Sequence, residues 1–312
     1  MKPFKIVPII NKDLGLVATR VIKKGETVIR EKPVLRTHES LAQQFKQLRS
    51  EQQHELLCLY HSPHLLDGIL YRNHTEEDQE KVREMIEKCS ENEDPLLTDI
   101  FNSNAITNAP DVGGRSSLYL LLSRINHSCN PNVVWSYTRA DPNIREVRAL
   151  RDIDVGEELE VGYSDKSLIL YQTSDERRET LKQHWNFLCI CSLCKDPEVN
   201  DKKRRELKSL NNLAEKLVSQ GKYLKGLEVA EKILKEESKL AEFSSVIPNT
   251  MMAVYRLSLE AQSCGVRVPD HSDLVDDGIK LARALGDSFE MRVEHQIEEC
   301  QSLILMMNLS IK

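Results

Sequence analysis

The chain has 312 residues, 40% hydrophobic and 29% charged, with a formal net charge of −6. That is long enough for a core of about two domains, and too acidic for a surface that grips nucleic acid as a whole, so direct nucleic-acid binding is not expected. No apolar run approaches the about 20 residues that a membrane span requires, and the apolar N-terminal stretch is broken by Lys5 and Pro8, unlike a secretory signal. A cytoplasmic or nuclear monomer without membrane contacts is expected.

The first forty residues read as short strands. Residues 5–10 are apolar-rich, Asp13-Leu14-Gly15 is a turn, and residues 16–21 resume the β pattern. A second turn at Lys24-Gly25-Glu26 leads into a strand over 27–30. Residues 40–100 change character. Leu41, Phe45 and Leu48, then Leu56, Leu57 and Leu59, recur at helical spacing, and residues 76–89 form a charged amphipathic helix. This block interrupts a β region and reads as an insertion.

Strand signals return over 133–137 and 146–150, on either side of the turn sequence Asp141-Pro142-Asn143. A third strand over 159–163 places Leu159, Val161 and Tyr163 on one face. From Lys202 onward the pattern is helical, with helices over 207–220, 224–242, 250–265, 274–285 and 289–307 and breaks at Gly221, Pro248 and Pro269. Residues 212–230 resemble a tetratricopeptide-type helix pair, with small residues where helices must approach. The basic run Lys202-Lys203-Arg204-Arg205 reads as a solvated helix start in preference to an import signal.

Eight cysteines without a secretory signal are not a disulfide framework. Three of them, Cys189, Cys191 and Cys194, fall within six residues as C-x-C-x-x-C. That spacing suits a zinc ion, which favours four nitrogen or sulfur ligands in a tetrahedron. A fourth ligand must come from elsewhere. Cys58, Cys89, Cys264 and Cys300 lie alone in helical segments and read as core or surface thiols.

Three segments together resemble the SET-domain protein-lysine methyltransferases. They are Asn126-His127-Ser128-Cys129-Asn130-Pro131-Asn132, then Gly156-Glu157-Glu158-Leu159-Glu160-Val161-Gly162-Tyr163, then the cysteine cluster, which is similar to the post-SET segment. With the N-terminal part they cover residues 1–197. The insertion and helical C-terminus resemble the SET-and-MYND branch. That branch carries a zinc-binding MYND module, but residues 40–115 hold only Cys58 and Cys89, too few to build it.

The resemblance implies an α+β enzyme: an irregular, β-rich SET domain (1–39 and 101–184) split by a helical insertion (40–100), a zinc-bound post-SET segment (185–200) and an all-helical, TPR-like domain (201–312). It implies S-adenosylmethionine as methyl donor, one structural zinc, and a protein or peptide bearing a lysine as substrate. By the same resemblance Cys129 is the fourth zinc ligand, beside Cys189, Cys191 and Cys194. Asn126 and His127 would contact the cofactor on its adenine side, and Asn104 its amino-acid end. The turn containing Lys12 and Leu14 would lie along its methionine part, with Lys12 facing the carboxylate. Tyr163 would orient the substrate amine and hold the transferring methyl. Trp185 and Phe187 would line the lysine channel, Phe187 also touching the cofactor.

Each assignment has a plainer counterpart: a strand-face aromatic for Tyr163, a core packer for Phe187, an exposed turn lysine for Lys12 and a helix cap for Asn104. His127 with Cys129 as a base–thiol pair is a further enzymatic reading, but the metal uses Cys129 better. One departure stands out. Asp13 replaces the first glycine of the family's Gly-x-Gly turn, which expects aspartate to tolerate an unusual backbone angle. That replacement is the main feature favouring a competing reading, a weak or inactive SET-fold protein serving as a peptide-binding scaffold.

Overall fold

The computed structural model describes residues 2–37, 39–59, 76–91, 95–107, 116–163, 170–240 and 245–310. Four small sheets carry its β part. The hairpin β1 (Phe4–Ile9) and β2 (Asp13–Ala18) pairs antiparallel, Phe4 opposite Ala18. β3 (Thr27–Glu31), β9 (Arg145–Ala149) and β8 (Val133–Tyr137) form an antiparallel sheet with β9 central. β4 (Leu35–Arg36), β6 (Ser116–Leu118) and β5 (Ile106–Thr107) make another, and β7 (Asn126–His127) runs parallel to β10 (Glu160–Val161).

Their inward residues form one core. Leu16, Ile22, Ile125, Val133, Val147, Ile153, Leu159 and Val161 are fully buried, and Trp135 and Tyr163 pack against them. Tyr163 therefore shares the core side with Leu159 and Val161, as the alternation requires, although the regular strand is shorter than expected and ends at Val161.

The insertion is helical: α1 (Leu41–Gln47), α2 (Ser50–Leu57), α3 (Glu76–Glu91) and α4 (Pro95–Asn104), the last running past position 100. Phe45, Leu56, Leu57, Leu97 and Ile100 close a second core around Leu35 and Leu118. Its apolar spacing thus serves burial, as amphipathic helices do.

α5 (Ser174–Trp185) begins in a capping box: Thr173 Oγ1 accepts from the Glu176 N–H, and Glu176 accepts from the Thr173 N–H at 2.7 Å. It ends at Asn186, which takes the left-handed conformation at φ 54°. The one-turn α6 (Ser192–Lys195) follows, then α7 (Pro197–Ser219), α8 (Tyr223–Glu237), α9 (Ile247–Ser263), α10 (Asp273–Leu285) and α11 (Asp287–Ser310).

Three helical expectations are corrected. α7 starts at Pro197, ten residues before position 207, because proline is well suited to the first helical turn. α8 ends at Glu237, short of the expected end, and positions 241 and 242 of the expected helix lie outside the described residues. The basic run is only half solvated: Arg204 is buried with Nη1 on the Asn200 carbonyl, and Lys203 pairs with Glu236. Small residues do mark helix approach, since a Cβ on Gly226 would lie 3.2 Å from Val218.

The array docks on the β part through the α10–α11 joint. Ser136 and Ser288 hydroxyls lie 2.7 Å apart, Leu285 and Phe289 pack on Val134 and Leu150, and Asp287 accepts the Arg139 N–H. Gly286 makes this possible. Its φ is +115°, and a Cβ there would lie 2.7 Å from Ser136 Oγ. No described helix is long and apolar enough to cross a membrane.

Candidate active site and metal centre

Segment 157–161 is held from both sides. The Ala18 N–H donates to Glu157 O and the Leu159 N–H to Leu16 O at 2.7 Å, tying it to β2. Opposite, the Ser128 and Asn132 N–H groups donate to Val161 O and Glu160 O. The Asn132 side chain completes the clamp, donating to Glu158 O at 2.7 Å and accepting from the Glu160 N–H at 2.8 Å, while 1% exposed. Two stretches distant in sequence thus become a single threaded layer, because a buried amide must satisfy its polar atoms.

The N-terminal turn packs on this layer. The turn lies at 10–12, and Asp13, Leu14 and Gly15, expected in the turn, open β2 instead. Asp13 adopts φ 57°, the left-handed angle that its short polar side chain tolerates, so the departure at this position leaves the hairpin intact. Gly15 is required by contact: a Cβ would lie 2.7 Å from Ile9, 2.8 Å from Asn126 Nδ2 and 2.9 Å from Glu158. Asn126 Nδ2 donates to Leu14 O at 3.1 Å and to Glu158 at 2.8 Å. The Lys12 ammonium is paired with Glu158 at 2.9 Å and Glu160 at 2.5 Å. Asn104, last in α4, donates back to the Ile100 carbonyl at 2.8 Å, a helix-end bond that fits the capping reading.

The sulfurs of Cys129, Cys189, Cys191 and Cys194 all lie within 4.8 Å of one another. Cys129 Sγ is 3.8 Å from that of Cys189 and 3.6 Å from that of Cys194. A tetrahedral zinc with Zn–S of about 2.3 Å would set its sulfurs about 3.8 Å apart, so the donor set fits that ion. Crowding alone splits the four thiols. Hydrogen bonds from its three neighbours hold Cys191 below an ordinary thiol, while mutual hydrogen bonding pushes Cys129 and Cys189 up.

Three side chains around the knot supply positive charge or donors. Arg177 is 1% exposed with Nη2 3.4 Å from Cys194 Sγ. Arg178 donates to the Cys189 and Cys194 carbonyls at 3.1 and 2.7 Å. His127 Nδ1 accepts the Tyr163 N–H at 3.1 Å, which leaves Nε2 to carry the proton, 3.4 Å from Cys129 Sγ. Burial holds this imidazole neutral, its pKa brought down to about 4.

These pieces meet at a cleft of about 1050 Å³ lined by residues 11–14, Asn104, Asn126, His127, Tyr163, Trp185 and Phe187. The Tyr163 ring centroid lies 5.5 Å from Trp185, 6.2 Å from Phe187 and 5.3 Å from His127. Its hydroxyl donates to the Ile125 carbonyl at 3.0 Å, and burial, then the nearby Glu158 and Glu160 charges, keep the phenol un-ionised. Every residue singled out from the sequence for the cofactor or channel lines this one cleft, Lys12 and Leu14 included. Cys189 and Cys191 line it too.

Sequence reasoning missed four contributors. Asn132 lay inside the quoted motif without being given a role. Arg177 and Arg178 sit in α5, a helix that the sequence reading did not single out. Glu31, whose carboxylate accepts the Leu121 and Leu122 N–H groups at 3.0 to 3.1 Å, anchors the turn leading into Asn126. Only Arg177 and Arg178, two adjacent cations a dozen residues before a cysteine cluster, left a signal that could have been read.

Comparison with known proteins adds the following. Residues 13–164 match the family model described as the SET domain. The chain is similar to "Histone-lysine N-methyltransferase set5" of Schizosaccharomyces pombe, 31% identical over 209 residues, which is 66% of this chain and 54% of that protein. It is similar to "N-lysine methyltransferase SMYD2" of Bos taurus, 30% identical over 48% of this chain and 31% of that one. It is also similar to "Histone-lysine N-methyltransferase SMYD3" of Homo sapiens, 41% identical over 30% of this chain and 21% of that one. The matches therefore span about half the first relative's length and less of the others. The solved "SET domain of LSMT bound to Lysine and AdoHcy" aligns over 99% of this chain and 88% of that one, at 11% identity and a TM-score of 0.34.

Proposed function

We propose that this chain, which carries a SET domain over residues 13–164, is a protein-lysine N-methyltransferase that uses S-adenosylmethionine and keeps one structural zinc on Cys129, Cys189, Cys191 and Cys194. The observation that carries the reading is the meeting of the Asn126–His127 layer, Tyr163, Trp185, Phe187 and the four-cysteine knot at one cleft. Residues 1–39 and 101–184 are assigned to the SET domain, 40–100 to its insertion, 185–200 to the post-SET segment and 201–312 to the helical domain. The substrate is a protein with an accessible lysine, in cytoplasm or nucleus, met by a monomer.

When bound, the cofactor supplies an electrophilic methyl group. The chain's own residues must deliver a neutral amine to it. A lysine ammonium has a pKa near about 10.4 in water, and apolar walls lower it by disfavouring the charge. Trp185 and Phe187 provide those walls. Tyr163, whose proton is committed to the Ile125 carbonyl, keeps oxygen lone pairs with which to accept from the amine and orient it. Asn126, tied to Leu14 and Glu158, holds the cofactor-side layer in register. Alignment and water exclusion then carry most of the rate. Cys129 and the three cysteines after Asn186 would hold the zinc, and the tie between them would keep Phe187 beside His127, ring centroids 5.8 Å apart.

Transfer of radiolabel from S-adenosylmethionine to proteins of a cell extract tests this reading. Tyr163→Phe should lower labelling by about 100-fold, as loss of one positioned polar group does; equal labelling by the variant refutes the role of Tyr163. One observation favours the scaffold reading: Lys12 is already paired with two carboxylates and so offers less to the cofactor carboxylate. Calorimetric titration with S-adenosylmethionine separates the two, since absence of binding leaves only the scaffold.

A further inference from the structure

The whole chain is acidic, at −6, yet the cleft is not. Among the described residues its lining carries Lys12, Arg124, Arg145 and Arg292 against one carboxylate, Asp13. Lys12 is neutralised by Glu158 and Glu160, so the excess positive charge lies away from residues 11–14. Two of these cations flank the joint between β8 and α11. Arg145 is 4% exposed, its guanidinium 5.4 Å from the Tyr137 ring centroid. Arg292 is exposed and lies 6.0 Å over the Phe289 ring. The Ser136–Ser288 hydroxyl contact of 2.7 Å fixes the two elements against each other.

Arg145 is hydrogen-bonded to the neutral Tyr119, and the acids around Arg292 are engaged elsewhere. Glu290 is taken by Arg283 at 2.7 Å and Glu294 by Arg139 at 2.8 Å. Glu146 faces Arg30 and Arg148. None of the described carboxylates lies within ion-pair distance of Arg292. A guanidinium seated on an aromatic ring at the edge of a cleft is a forked donor matched to carboxylate geometry.

We infer that Arg145 and Arg292 form a cationic subsite that takes an acidic side chain flanking the target lysine, so that the cleft selects lysines in acidic sequences over lysines in basic tails. This rests on the reading of the cleft as a peptide-binding enzyme site, and it deepens that reading by naming the substrate class. A basic tail would bring like charges against Arg145 and Arg292, a juxtaposition that excludes wrong partners.

The test is direct binding, without chemistry. Two fluorescein-labelled twelve-residue peptides, each with one central lysine, carry glutamates around it in one and arginines in the other, and fluorescence anisotropy gives their affinities for the full chain. The acidic peptide should bind at least about tenfold more tightly, with an advantage that shrinks as salt rises. Arg292→Glu, on the surface, should erase or invert the preference. Arg145→Met, which keeps the stem over Tyr137, should weaken it, provided its circular dichroism matches wild type. Equal binding, preference for the arginine peptide, binding of neither, or a preference untouched by Arg292→Glu overturns the subsite. Cofactor titration is a separate readout: bound S-adenosylmethionine with no acidic preference sinks this inference alone, whereas no bound cofactor sinks the enzyme reading alone.

Discussion

Around Cys129 the chain gathers sulfurs 60 and 65 positions away, and the groups that hold them are polar: His127, Arg177, Arg178, and Asn132 in the adjoining layer. In residues 197–240 and 245–310 neighbours in sequence are neighbours in space. Each helix packs on the next through buried Leu227, Ala230, Ile233, Val254, Leu257 and Ala282. The first region is built on a few satisfied polar contacts in a low dielectric, where each loss is costly. The second rests on apolar area, where losses are spread over many contacts. Precision is concentrated where the proposed chemistry is, and the array serves mainly as a wall, with Arg292 as the one residue to which a selective role is given.

That contrast can be broken by substitutions on each side. The largest effect is expected at Arg177. Arg177→Met removes a buried cation from a thiolate cluster, and should destabilise the protein by about 3–5 kcal/mol and weaken metal retention by about 10- to 100-fold. Urea unfolding and competition with a chelator check both. A variant that holds metal as tightly as wild type would show that the guanidinium is incidental.

In the array, Leu227→Ala deletes a side chain 2% exposed and should cost about 2–5 kcal/mol. Metal content and the affinity for S-adenosylmethionine should stay unchanged in the fraction that is folded. A loss of metal in this variant would mean the two regions are not separable in the way described.

Asn132→Ala comes next, at about 1–3 kcal/mol, because it leaves the Glu160 N–H without its buried acceptor. The cost should be accompanied by faster amide exchange over 157–161, read by hydrogen-exchange mass spectrometry. At the joint, Gly286→Ala places a methyl 2.7 Å from Ser136 Oγ at an unfavourable φ and should cost about 1–3 kcal/mol. The smallest effect belongs to Arg83→Ala. Arg83 pairs with Glu80 on an exposed helix face, and the change should stay within about 0.5 kcal/mol.

The sequence was most readable where chemistry forces residue type into a short span. Cys189, Cys191 and Cys194 announce a metal within six positions, and Cys129 follows from the family pattern. Strands β3, β8 and β9 and the helical array follow from apolar periodicity to within a residue or two at most ends. What could not be read was long-range and polar. Nothing local says that Arg177 is buried, that Glu31 caps the turn before Asn126, or that Lys12 is held by Glu158 and Glu160. Their partners lie 17, 90 and 146 or more positions away, and charged residues read as solvated until the fold supplies a partner. Asp13 is the opposite case. It looked like a defect in a glycine motif, and the left-handed backbone that it adopts shows that the local rule was kept with a different residue.

The proposed metal clamp on the four cysteines is tested most directly by mass spectrometric elemental analysis of the purified full chain. The account predicts one zinc per chain in wild type and a clear loss in Cys129→Ala, whose other three cysteines remain. Protein that is folded, binds S-adenosylmethionine and holds no metal, or a Cys129→Ala variant that retains a full complement of zinc, would contradict it.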